Sequence, residues 1–125
     1  MQTRMASCSC GKLRLECSGE PQKVSLCHCL DCQRRTGSTY GIAAFYARDA
    51  VTVLGSSAMY RRNSDSGYAI TFHFCPHCGS SVFWEPERMT EWIAVAVGAF
   101  ADPDFPAPTQ QVWQERRHPW VMLPF

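Results

Sequence analysis

The apolar residues of this chain recur with a period of two. In "KLRLEC", residues 12–17, Leu13, Leu15 and Cys17 fall on one face of an extended segment and Lys12, Arg14 and Glu16 on the other. That is the signature of a half-buried strand. Similar short runs at 24–27, 41–46, 51–54, 69–74, 81–84 and 92–99 predict further strands. The turn-forming residues between them, such as "RRNSDSG" at 61–67, favour hairpins over strand–helix–strand units. A Pro-rich tail follows from Ala101, with a short strand expected at 111–114. One helical turn is expected over 31–35, with Asp31 as its cap, Gln33, Arg34 and Arg35 as good helix formers, and Gly37 as its stop. The predicted class is mainly β: packed antiparallel sheets and hairpins with one short helical turn.

Composition narrows the options. The 125 residues suit a single domain spanning 1–125, since independent cores need roughly 100 residues each. With 46% hydrophobic and 18% charged residues, the chain can bury a core and is not of the disordered class. A formal net charge of +1 gives no basic field. The arginines at 34–35, 61–62 and 116–117 are pairs without a surrounding excess, so no nucleic-acid partner is expected. No run approaches the roughly 18 apolar residues of a membrane span, and the first residues, "MQTRMASCSCGK", lack an export signal's apolar segment. A cytoplasmic protein with no membrane partner is expected.

In that compartment the eight cysteines are expected to be reduced thiols engaged with metal or in redox work. "FCPHCG" carries the most specific spacing: Pro76 presets φ and Gly79 permits the positive φ that turns backbone N–H groups toward sulfur, so Cys75 and Cys78 face one side of a tight turn. Such a pair is half a tetrahedral site. Cys8 and Cys10, in "SCSCG", lie on one face of an extended segment and most simply supply the other half. Four thiolates would make a closed, structural Zn²⁺ site tying the start of the chain to its middle.

"LCHCLDCQRRTG" poses a different problem, because Cys27, Cys29 and Cys32 are one sulfur short of a closed site. Three protein ligands with an open fourth position is the arrangement of a catalytic zinc. Three thiolates on Zn²⁺ sum to a net charge of minus one, so the metal is a weaker Lewis acid than one held by histidines. A substrate thiol, held as thiolate near neutral pH, suits it better than water. Arg34 or Arg35 could offset the extra negative charge, or could be solvated surface. A helix N-terminus near Cys32 would favour its thiolate.

The other candidates have plainer readings. Cys17 alternates with Leu13 and Leu15 and is expected as a small buried hydrophobe. His28 and His77 sit inside cysteine loops and are expected to point away from metal. His73 is expected to be either exposed or a hydrogen-bond donor to a cysteine sulfur, and His118 a turn residue. Trp113 and Trp120 serve the core and hairpin faces or line a substrate cleft.

In this order, "CSCGKLRLECSGEP", "CHCLDCQRRTGS" and "FCPHCGS", with "VWQERRHPWVMLPF" at the end, resemble the glutathione-dependent formaldehyde-activating enzyme family. The resemblance spans nearly the whole chain. It implies a mostly β fold of packed sheets around two zinc ions, with Cys8, Cys10, Cys75 and Cys78 as structural ligands and Cys27, Cys29 and Cys32 as catalytic ones. It also implies addition of the glutathione thiol to formaldehyde, giving S-hydroxymethylglutathione, by an enzyme classed as a carbon–sulfur lyase. There the zinc would bind the thiolate or polarise the aldehyde oxygen. Two positions depart from the family pattern. Gln111, Val112 and Trp113 stand where many members carry a His-Ile-aromatic segment, and Gln cannot transfer protons near pH 7. Phe72 stands where the family often has arginine. The carboxylates of glutathione would need cationic partners, for which Arg34, Arg35, Arg116 and Arg117 are candidates on charge alone.

Three other functions compete with this one. A non-enzymatic, zinc-built protein-binding module would use the triplet only to fix a loop, and would close the second site with Cys17 or a histidine. A redox or iron–sulfur protein would be coloured, and a nucleic-acid binder would need the basic excess that is missing.

Overall fold

The structure, a computed structural model, describes residues 2–125. Its strands are β1 (Thr3–Ser7), β2 (Arg14–Ser18), β3 (Lys23–Cys27), β4 (Gly41–Ala47), β5 (Val51–Leu54), β6 (Ala58–Asn63), β7 (Ala69–Phe74), β8 (Ser81–Pro86), β9 (Trp92–Ala96) and β10 (Gln110–Val112), with one α-helix, α1 (Leu30–Thr36). They form a three-stranded sheet, β1-β2-β5, and a seven-stranded sheet, β10-β3-β4-β9-β8-β7-β6. All pairings are antiparallel except β10 with β3. The fold is mainly β, as the alternation predicts. Among the described residues no helix is long and apolar enough to cross a membrane.

Alternation decides where the core lies. Leu13, Leu15 and Cys17 are fully buried and meet Val24, Ala44, Tyr46, Val82, Phe83 and Val95 of the large sheet in one cluster between the two sheets. Each fully buried leucine there contributes roughly 1.5–3 kcal/mol. The opposite face of the large sheet carries a second, smaller cluster of Ala43, Phe72, Trp84 and Ala94, with Phe45, Ile70 and Ala96 partly buried beside it. The small sheet covers only the first face. The second is left to form a cleft.

Several boundaries differ from expectation. β1 and β6 escape the sequence pattern because neither alternates: Met5 is exposed in β1, and both Met59 and Tyr60 are exposed in β6, an edge strand. The turn expected at 61–67 starts later, with Ser64 N–H donating to the Tyr68 carbonyl and Gly67 N–H to the Ser64 carbonyl. β9 stops at Ala96 and a 3₁₀ turn, Val97–Phe100, replaces its expected end. α1 is capped by Cys29 and not by Asp31. A thiolate-forming sulfur one step before the helix takes the capping place, and Asp31 falls inside the first turn.

Candidate metal centres and the cleft beside them

β1 runs into the loop that carries Cys8 and Cys10, and β7 runs into the knuckle that carries Cys75 and Cys78. The four sulfurs lie within 4.8 Å of one another. Cys10 Sγ is 3.7 Å from Cys8 Sγ and 3.6 Å from Cys75 Sγ, too far for disulfides, and all eight cysteines are free thiols. Gly79 takes φ 78° and its N–H donates to the Cys75 carbonyl at 2.8 Å, the turn that the knuckle requires. The Leu13 amide donates to Cys8 Sγ at 3.2 Å and the His77 amide to Cys75 Sγ at 3.4 Å. These donors favour thiolate. The Ser80 hydroxyl beside Cys78 pulls its thiol down to about 5.

The second group is held by β3 and α1. Cys27 ends the strand, Cys29 caps the helix and Cys32 sits in its first turn, their sulfurs within 4.8 Å of one another. The Cys32 amide donates to Cys29 Sγ at 3.3 Å, so the helix terminus serves Cys29 more directly than Cys32. Hydrogen bonds from the Cys27 and Cys32 thiols, then from the Cys32 and Asp31 amides, bring the Cys29 thiol down to about 2. Its bond to Cys29 pushes Cys27 upward. The helix-terminal amide thus favours the thiolate on the capping sulfur.

The loop between Cys27 and Cys29 is pinned from behind. His28 is fully buried, its Nε2 lies 2.8 Å from Gln111 Oε1, and its backbone N–H donates to the Val112 carbonyl. Gln33 Nε2 donates to the His28 carbonyl at 2.9 Å. Gln111 thus stands behind the sulfur triplet, and its own amide donates to the Phe125 carbonyl at 2.6 Å. Among the described residues no histidine joins either sulfur cluster. His73 is neither exposed nor a donor to sulfur: it is buried, stacked on Phe83 at 4.2 Å, with Nδ1 2.8 Å from Ser57 Oγ and Nε2 2.6 Å from Glu85 Oε1. Its alternation with Phe72 turns it to the other face of the large sheet, where Phe83 and Glu85 of β8 lie beside it. His118 occupies a turn, its carbonyl accepting from the Val121 amide. Cys17 lies in the core, its thiol raised to about 12 by burial.

Beside the triplet opens a cleft with a cavity volume of about 230 Å³, lined in part by Cys27, Cys29, Cys32, Arg35, Phe45, Phe72, Trp84 and Trp113. Its floor is the uncovered face of the large sheet. The Arg35 guanidinium lies 4.1 Å from the Trp84 ring centroid, and that of Arg62 lies 5.0 Å from the Phe72 centroid, stacked contacts that planar cations favour. Arg62 pairs with Asp31 at 3.2 Å. Gly41 makes room for Arg35, since a Cβ there would stand 2.7 Å from Arg35 Nη2.

Of the expected substrate residues, the structure brings Arg35 and Trp113 to the cleft. Arg34 is 77% exposed and faces Asp31 at 3.9 Å, and Trp120 is 69% exposed and packs edge-on against His118. Neither lines the cleft, and nor do Arg116 and Arg117. Arg62, Asp31, Phe45, Phe72 and Trp84 escaped the sequence reading as wall residues. A signal existed: Gly41, Ala43, Ala94 and Ala96 put small side chains on one face of adjacent strands, which leaves space above a sheet.

A sequence profile of the family described as "Glutathione-dependent formaldehyde-activating enzyme" matches residues 3–116. The chain belongs to this family. No curated protein matches it by sequence. Among solved structures, a Rhodobacter sphaeroides protein is similar to it at a TM-score of 0.64 and 21% identity, over 86% of this chain and 98% of that one. At that identity the likeness concerns the fold alone.

Proposed function

We propose that the protein is a zinc-dependent carbon–sulfur lyase-type enzyme that joins a small thiol to an aldehyde, with one structural and one catalytic metal. The dimensions of the first cluster fit zinc. Tetrahedral zinc with sulfurs at about 2.3 Å places them about 3.8 Å apart, and the contacts here are 3.7 and 3.6 Å. The second cluster offers an all-sulfur donor set of the same kind. One observation carries the catalytic reading: the three-sulfur group opens onto a cleft, whereas the four-sulfur group ties two strand ends together. A module that needed the triplet only to fix a loop would have no use for such a cleft.

When bound by Cys27, Cys29 and Cys32, zinc would favour the thiolate over the thiol of an incoming sulfhydryl. The rest is positioning by this chain. His28, Gln33 and Gln111 fix the loop that presents the three sulfurs, and Arg35 places a guanidinium where it offsets their negative charge. In the reaction the sulfur forms a bond to the carbonyl carbon and the carbonyl π pair moves to oxygen. The proton lost by the thiol ends on that oxygen, giving an S-hydroxyalkyl product. Glutathione and formaldehyde are the pair that the family points to. The chemistry requires reduced thiols, hence a cytoplasmic setting.

The test combines metal counting with NMR observation of the adduct. Wild type should hold two zinc ions per chain and speed exchange between free thiol plus formaldehyde and the S-hydroxymethyl product. Cys27→Ser should keep one zinc and the fold and lose the acceleration. An unchanged exchange rate in the presence of fully metallated wild type would overturn the enzymatic reading.

A further inference from the structure

The lining of the cleft narrows the thiol it accepts. Its floor is apolar, formed by Phe45, Ile70, Phe72 and Trp84 over the small residues Ala43 and Ala94. The amide groups of a peptide laid there would lose water and find few partners. Its cavity of about 230 Å³ falls below the about 300–1,000 Å³ of pockets for drug-sized ligands. Charge gives the third constraint. Three guanidiniums line it, Arg35, Arg62 and Arg88, against two carboxylates, Asp31 and Asp65. Arg62 is answered by Asp31 at 3.2 Å, whereas Arg35 has no ion pair among the described residues and its Nε is buried without a hydrogen-bond partner. Arg35 Nη2 and Cys32 Cβ lie 2.7 and 3.5 Å from one point, the place a Gly41 Cβ would take. An anion on Arg35 would therefore sit next to the sulfur triplet, within a few bonds of a sulfur held there.

We propose that the cleft selects a small 2-mercapto carboxylate with an apolar side chain: the sulfur goes to the cysteine triplet, the adjacent carboxylate to Arg35 and the side chain to the aromatic floor. This rests on the reading of the triplet as a thiol-binding metal centre. A guanidinium whose carbon sits 4.1 Å over the Trp84 ring centroid meets the ring through its face and leaves N–H groups for a carboxylate. The ligand carboxylate then answers the one guanidinium in excess in the lining, with nothing left over for the second carboxylate and the ammonium that glutathione brings.

Calorimetric titration of the zinc-loaded protein with 2-mercapto-3-phenylpropanoate, its methyl ester and glutathione tests this. The acid should bind at least tenfold more tightly than the ester and than glutathione, and Arg35→Met should erase the preference over the ester by cutting acid affinity at least tenfold more than ester affinity. Equal binding of acid and ester to wild type, or tighter binding of glutathione, would overturn the proposal and leave the thiol-binding centre standing. Absence of binding by all three would overturn the thiol-binding reading itself. Should Arg35→Met fail to fold, the three-ligand comparison on wild type decides alone.

Discussion

Cys29 caps the helix that carries Cys32, its sulfur accepting the Cys32 amide at 3.3 Å. One residue thereby serves as candidate metal ligand and helix cap, and two substitutions separate the roles. Serine caps helices well but is a poor partner for a soft metal site, so Cys29→Ser should lose one metal and keep α1. Cys29→Ala should lose the same metal and a further ~1 kcal/mol of stability with the cap. Metal analysis with chemical denaturation of both variants checks this. Equal stability of the two would show that the cap contributes nothing.

The four-sulfur cluster makes a different demand. Cys10 and Cys75 are separated by 65 positions, and cross-linking a loop of that length removes on the order of 4 kcal/mol of unfolded-state entropy. Cys75 is also fully buried within the core. Cys75→Ser should therefore lower stability far more than any single change in the triplet, and chelation should proceed in two stages, with unfolding tied to the second. Thermal melts at rising chelator concentration measure this. A variant as stable as wild type would remove the structural role from this site.

Both sulfur groups were legible in the sequence because metal chelation depends on local spacing: C-P-x-C-G, C-x-C and C-x-C-x-x-C each bring sulfurs together within one turn. Most strands were legible for a similar reason, since Leu13, Leu15 and Cys17 declare one buried face locally. The cleft was not. Phe45, Phe72 and Trp84 come from three strands, and only the order β4-β9-β8-β7 shows that they share the face the small sheet leaves bare. Arg62 was hidden twice, by lying in an edge strand without alternation and in a stretch rich in turn formers. Trp120 and Arg34 show the converse error: an aromatic and a cation near the motifs in sequence, each facing solvent in the fold.

Gly41 allows a test of the cleft that leaves the ligands alone. The Cβ of Gly41→Ala would meet Arg35 Nη2 at 2.7 Å and Thr36 Cγ2 at 3.3 Å. Arg35 is long and can swing away, so the fold should lose no more than about 1 kcal/mol. The guanidinium would then leave its place beside Cys32. Zinc content should stay at the wild-type value while affinity for carboxylate-bearing thiols falls several-fold further than that for their esters. Unchanged carboxylate affinity would mean that Arg35 does not meet the ligand where it now lies.

Glu85 sets an acid limit on the side of the sheet away from the cleft. Its Oε2 accepts from Arg48 Nη1 at 2.6 Å and its Oε1 lies 2.6 Å from His73 Nε2. Partial burial works to raise this carboxyl, but the Arg48 and His73 hydrogen bonds outweigh it and hold it below the ordinary value of 4.5. Between that value and the depressed one the unfolded chain binds more protons than the folded chain, so stability rises with pH across this window. The contribution is complete above 4.5 and is lost as pH falls through the folded value. Because the group is partly exposed, solvent screening limits it to about 1 kcal/mol. Acid also strips metal from thiolates, which wild type and Glu85→Gln would share, so the difference between them isolates the carboxyl. Glu85→Gln should be about 1 kcal/mol less stable than wild type at pH 7, and the gap should close in acid. A gap that stays constant down to strong acid would mean that Glu85 acts by packing rather than by charge.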